Sequence, residues 1–81
     1  MNIIEARAIV ARVGKQCSGL DRVGGLVAEL EWLDGQGNAT QAGETVRTLD
    51  DRAGHYEDGR FVGGRKIAEA MRMCRAFPVA S

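Results

Sequence analysis

Four stretches of this chain repeat apolar side chains at the spacing of one helix face, and clusters of glycine stand between them. In the first, Ile3, Ala6, Val10, Val13 and Cys17 recur every three or four residues and Ile9 widens the stripe, which predicts a helix ending near Gly14 or Ser18. In the second, Ser18 with Asp21 has the form of a capping box with Asp in place of Glu. Leu20, Val23, Leu26, Val27, Leu30 and Leu33 then make an apolar face up to Gly35. The Gly24–Gly25 pair costs about 1 kcal/mol per residue in a helix interior, so either this helix begins later or something packs closely there. After a GQGN loop, Asn38 and Gln41 repeat the capping pattern before Ala42, Val46, Leu49 and Ala53, and Gly54 is expected as a left-handed C-cap. The fourth stripe, Ile67, Ala70, Met71, Cys74 and Phe77, is stopped by Pro78.

Between the third and fourth stripes lies HYEDGRFVGGRK, the most heavily punctuated passage. Asp58–Gly59 is a favoured dipeptide of a type I′ turn, whose two central residues both need positive φ, and it predicts a small hairpin over residues 55–62. Gly59 and Gly64 also have the glycine spacing of a phosphate-binding loop. That motif then requires Lys and Ser or Thr directly, whereas Arg65, Lys66 and Ile67 follow here, so the hydroxyl for magnesium is missing. The fold expected is mainly α: a small bundle of about four helices with a short β-hairpin or turn before the last.

With 81 residues the chain makes a single small domain that buries roughly 60% of its unfolded surface, too little for a deep enzyme cleft. Hydrophobic and charged fractions of 44% and 27% are those of a soluble globular domain, and with aromatics at 5% the core must be aliphatic. The N-terminus lacks a basic leader before an apolar run, no stretch reaches membrane-span length, and two cysteines 57 positions apart make no disulfide scaffold; a reducing, cytoplasmic setting is expected. The formal net charge is zero, which removes whole-molecule attraction to nucleic acid. One local excess remains: Arg60, Arg65, Lys66, Arg72 and Arg75 stand against Glu69 alone.

Candidate chemistry is sparse. His55, the only histidine, falls in a turn expected to be exposed, near Asp51, Glu57 and Asp58 but without a nucleophile. Cys17, Cys74 and His55 have no spacing that preorganises zinc, and the two cysteines, on apolar stripes, read as core thiols. A Cys17–Cys74 disulfide requires the first and last helices to pack together. Trp32, the only tryptophan, lies on the side of its helix away from Leu26, Leu30 and Leu33, beside Asp21, Gly25 and Ala28. Either the first or last helix folds over that second face, or Trp32 is part of a homodimer or partner interface. No metal site, cofactor or catalytic constellation is expected.

Two passages resemble helix-turn-helix proteins. LDDRAGHYEDGRFV is similar to the helix-to-wing passage of winged helix-turn-helix domains, with Arg60 at the tip, and IVARVGKQCSGLDRVGGLVAELE resembles the helix-turn-helix itself. The second places an extra helix before the wing, and the first leaves a long loop before the reading helix. This resemblance implies a DNA-binding regulator with Gln41, Thr45, Arg47 and Thr48 near bases and Arg60 to Lys66 on phosphates. By composition alone the chain resembles the small inhibitors of host machinery encoded by phages and plasmids, including anti-CRISPR proteins. The leading expectation is therefore a non-enzymatic protein that docks on a macromolecular protein or nucleoprotein partner through Trp32, Arg60, Arg65, Lys66, Arg72 and Arg75, and the helix-turn-helix regulator is second.

Overall fold

The computed structural model describes residues 1–17 and 19–77. Their elements are α1 (Ile3–Gln16), α2 (Leu20–Gln36), α3 (Ala39–Ala53), β1 (His55–Glu57), β2 (Arg60–Val62) and α4 (Gly64–Ala76), the order expected from the sequence. The start of α1 lies beside the end of α4, where Asn2, Ile3, Met73 and Phe77 line one groove. α2 packs on α3, and α3 on α4. The shared core is wholly aliphatic; its largest fully buried side chains are Leu30, Leu49, Ile67, Val13, Val23 and Val27.

Each helix end has a local cause. Asn2 Oδ1 accepts from the Glu5 N–H at 2.9 Å and starts α1, a cap not anticipated from the apolar pattern. Gly14 lies within α1, which runs to Gln16. The expected Ser18 cap lies outside the described residues; α2 follows Gly19 without a side-chain cap. Both Gly24 and Gly25 are inside α2. A Cβ at Gly24 would meet Met71 Cε at 3.8 Å, and one at Gly25 would meet open space, so only the first glycine faces a packed neighbour.

The end of α2 departs from the sequence reading. Gly35 and Gln36 belong to the helix, and the left-handed residue is Gly37, at φ 71°. Gly37 N–H donates to Asp34 O and Asn38 N–H to Leu33 O, so one two-residue joint closes α2 in a Schellman motif. Asn38 also opens α3: its Oδ1 accepts from Gln41 N–H at 3.2 Å, and its Nδ2 donates to Gln41 Oε1 at 2.9 Å, the reciprocal cap expected.

Gly54 is not the left-handed cap expected; its backbone is extended, at φ −60° and ψ 139°. Space is the constraint instead, because a Cβ there would collide with the Asp50 carbonyl oxygen and lie 2.8 Å from Phe61 Cζ. The chain passes directly into the hairpin, which pairs His55 with Val62, Tyr56 with Phe61 and Glu57 with Arg60. Asp58 and Gly59 take φ 50° and 76°, the two positive values of the expected type I′ turn.

The fourth helix begins earlier than its apolar stripe implied. Asp50 reaches across from α3, and its Oδ1 accepts the Gly64 N–H at 2.5 Å. A Cβ at Gly64 would lie 2.8 Å from both Leu49 Cβ and the Val46 carbonyl oxygen, so the start of α4 is pressed onto α3 where only glycine fits. This contact also disposes of the phosphate-loop geometry. A carboxylate of the chain itself already occupies the helix N-terminus where an anion would bind. The stop expected at Pro78 lies outside the described residues.

Candidate docking surfaces

An aliphatic core leaves the aromatic side chains outside. All four aromatic residues of the chain are at the surface: Trp32 is 64% exposed, Tyr56 71%, Phe77 63% and Phe61 49%. Of the two expectations for Trp32, no helix covers it. It stands on the outer side of α2, turned away from the buried Val23, Val27, Leu30 and Leu33. Tyr56 and Phe61 form a cross-strand pair on the outer face of the hairpin, ring centroids 5.4 Å apart. The Phe61 ring also leans over glycine backbone, since a Cβ at Gly54 or Gly63 would lie 2.8 Å from it. Phe77, placed in the core by its stripe, is exposed: α4 ends at Ala76, and Phe77 is the C-cap residue after it, near the start of α1.

The five basic residues singled out in the sequence do not act alike. Arg65 Nη1 donates to Asp34 Oδ2 at 2.6 Å and Arg75 Nη2 to Glu31 Oε1 at 2.5 Å, so these two tie α4 to α2. Arg60, Lys66 and Arg72 make no ion pair among the described residues and stay exposed. Arg60 and Lys66 line a groove of about 620 Å³ between α1 and the hairpin, with Arg12, Glu57 and Phe61 also on its walls.

Sorting charge by packing partner reveals a segregation that the neutral total hides. The α1 and α4 helices, packed together, carry seven basic residues against two acidic ones, Glu5 and Glu69. The α2 and α3 helices, also packed together, carry seven acidic residues against three basic ones, Arg22, Arg47 and Arg52. Two of these charges on each side cancel across the seam, Arg65 against Asp34 and Arg75 against Glu31, which leaves five basic residues to two acidic on α1 and α4 and five acidic to three basic on α2 and α3.

The residues that the helix-turn-helix resemblance assigned to bases lie on the acidic pair. Thr45 is buried and its hydroxyl donates to Gln41 O at 3.2 Å, so it is not on a reading surface. Thr48 donates to Glu44 O at 3.0 Å, Gln41 is engaged with Asn38, and Arg47 is exposed without an ion pair among the described residues. The loop before α3, expected to be long under that resemblance, is only Gly37 and Asn38.

His55 is buried at 5% exposure and does not sit in an exposed turn. Its inward direction follows from the strand alternation, with Tyr56 pointing out. Nδ1 donates to the carbonyl of Ala53 at 3.0 Å, while Nε2 has no hydrogen-bond partner and lies 3.7 Å from Glu57 Oε1, which Arg12 approaches at 3.9 Å. Both cysteines are free thiols. Helices α1 and α4 do pack together, but Cys17 ends α1 and Cys74 lies near the end of α4, so the pairing that sets the start of one beside the end of the other separates the thiols. Cys17 instead donates to Arg52 O at 2.8 Å, tying the end of α1 to α3. Among the described residues no three His, Cys, Asp or Glu side chains gather as metal ligands, and no helix is long and apolar enough to cross a membrane. No family model, curated protein or solved structure matches the chain.

Proposed function

We propose that this chain is a non-enzymatic docking domain that binds a macromolecular partner, in the manner of the small inhibitors of host machinery carried by phages and mobile elements. The exposure of every aromatic side chain over an aliphatic core carries this reading. Buried aromatics contribute about 150–250 Å² each, so these four hold on the order of 400–600 Å² in water. A standard interface covers about 800 Å² per partner. Trp and Tyr are the residues whose burial dominates binding energy at such interfaces, and the charge segregation supplies orientation during encounter.

The test is quantitative co-purification of partners by the wild-type chain and by Trp32→Ala and Tyr56→Ala/Phe61→Ala, each with its thermal melt. Loss of a partner with an unchanged melt supports the reading; full retention by every variant ends it.

One observation favours a DNA-binding regulator as the second reading. A two-residue joint between α2 and α3, followed by a hairpin directly after α3, is the order of a winged helix-turn-helix. The acidic balance of α2 and α3 weighs against it, since phosphate attraction supplies most nonspecific affinity. Fluorescence anisotropy of a labelled duplex at low and near-physiological salt separates the two. Affinity that falls steeply with salt would favour the regulator.

A further inference from the structure

Among the described residues, the one buried side-chain nitrogen or oxygen without a hydrogen bond is Nε2 of His55, whose side chain is 2% exposed. On the other edge of the ring, Nδ1 lies 3.0 Å from the Ala53 carbonyl oxygen. A carbonyl only accepts, so Nδ1 carries the hydrogen and Nε2 of the neutral ring is a bare lone pair. That lone pair faces Glu57 Oε1 at 3.7 Å, acceptor against acceptor. The same Oε1 lies 3.9 Å from Nε of Arg12, and Arg12 and Glu57 both line the groove of about 620 Å³ between α1 and the hairpin. One carboxylate oxygen thus stands between two nitrogens and is within hydrogen-bond distance of neither.

We propose that Glu57 is a two-position carboxylate set by the protonation of His55: it pairs with Arg12 while the ring is neutral and with His55 once Nε2 gains a proton. A neutral Nε2 cannot donate, so of the two nitrogens only Arg12 then offers Glu57 a hydrogen. A protonated Nε2 offers one from a buried ring, where attraction is screened far less than at a guanidinium that is 54% exposed. Histidine suits such a device because its charge changes between about pH 5 and 8. The other charged groups around the pair are Glu5 of α1, Asp58 and Arg60 of the hairpin and Lys66 of α4, all on the walls of the same groove. On α3, Asp50 is held by the Gly64 N–H and Asp51 is exposed. Release of Arg12 adds a third free cation to Arg60 and Lys66, so acidification makes this groove more attractive to an anionic group.

The test is nitrogen–proton NMR of the histidine ring and the arginine Nε–H groups of the unaltered protein, followed over about pH 5 to 8. At the neutral end, Nδ1 should carry the hydrogen and Nε2 should resonate as a bare ring nitrogen. As the pH falls, Nε2 should take up one proton, and the Arg12 Nε–H resonance should move toward that of Arg60 along the same titration curve. In Glu57→Gln, which replaces a partly exposed side chain by one of the same shape, Arg12 should lose this response to pH. A neutral ring with its hydrogen on Nε2, or an Nε2 that stays bare until the protein unfolds in acid, would overturn the proposal. So would an Arg12 resonance that stays in place while His55 gains its proton, or one that moves equally in Glu57→Gln.

Discussion

Replacing Asp50 with alanine tests the contact that sets the start of α4. The carboxylate is part-buried and holds the Gly64 N–H at 2.5 Å across an interval of fourteen residues, serving as an N-terminal cap supplied by another helix. Loss of an N-cap acceptor costs about 0.5–2 kcal/mol. Loss of an anion beside the positive end of the helix dipole costs a further 0.3–1 kcal/mol or so. Asp50→Ala should therefore destabilise the domain by about 1–3 kcal/mol, against a total on the order of 4–12 kcal/mol for a chain of this length. At roughly 4–8 °C per kcal/mol for small domains, the melting midpoint should fall by about 5–20 °C. Urea and thermal melts followed by far-UV circular dichroism give both numbers. Asp50→Asn keeps an acceptor without the charge and should recover most of the loss. An alanine variant as stable as the wild type would refute the cap, and with it the reason that this helix start, already holding the Asp50 carboxylate, is closed to phosphate.

Three further outcomes follow from the packing. Gly64→Ala should cost about 1–3 kcal/mol in the same urea melt, because its Cβ would press on Leu49 Cβ and the Val46 carbonyl, backbone that cannot yield like a flexible side chain. Leu49→Ala, in the fully buried layer between α3 and its neighbours, should cost about 2–5 kcal/mol, and a smaller loss would show that the layer collapses around the gap. Trp32→Ala should move stability by less than about 0.5 kcal/mol because the ring is exposed, and a large drop in the midpoint would place it in a packed environment instead.

The helices were legible because each carries its own apolar period and, for α3, its own cap. Asn38 and Gln41 are three residues apart, so their reciprocal bonds form whatever the rest of the chain does. The hairpin was legible for the same reason, since Asp58 and Gly59 satisfy the positive φ values of its turn locally. Boundaries were read less well. Gly35 looked like the end of α2, but a helix tolerates glycine, and the terminating bonds are made by Gly37 and Asn38. The exposed side chains of the candidate site were only partly legible. Trp32 could be placed off the core stripe by counting residues around a helix, whereas Phe77 fell on the stripe and proved exposed, one residue beyond the end of α4.

What the sequence by itself determined, then, is the set of local structures: four amphipathic helices, one tight hairpin and an aliphatic core, each specified by residues within a few positions of one another. Only the tertiary structure decided which helices share a layer, and therefore that a neutral chain is polarised into a basic and an acidic pair. It likewise decided that Asp50 caps a helix fourteen residues away, that Arg65 and Arg75 are tied to Asp34 and Glu31 while Arg60, Lys66 and Arg72 make no ion pair among the described residues, and that His55 faces inward. Charge and hydrogen bonding act through space, so their outcome depends on distances between elements that no periodicity along the chain encodes.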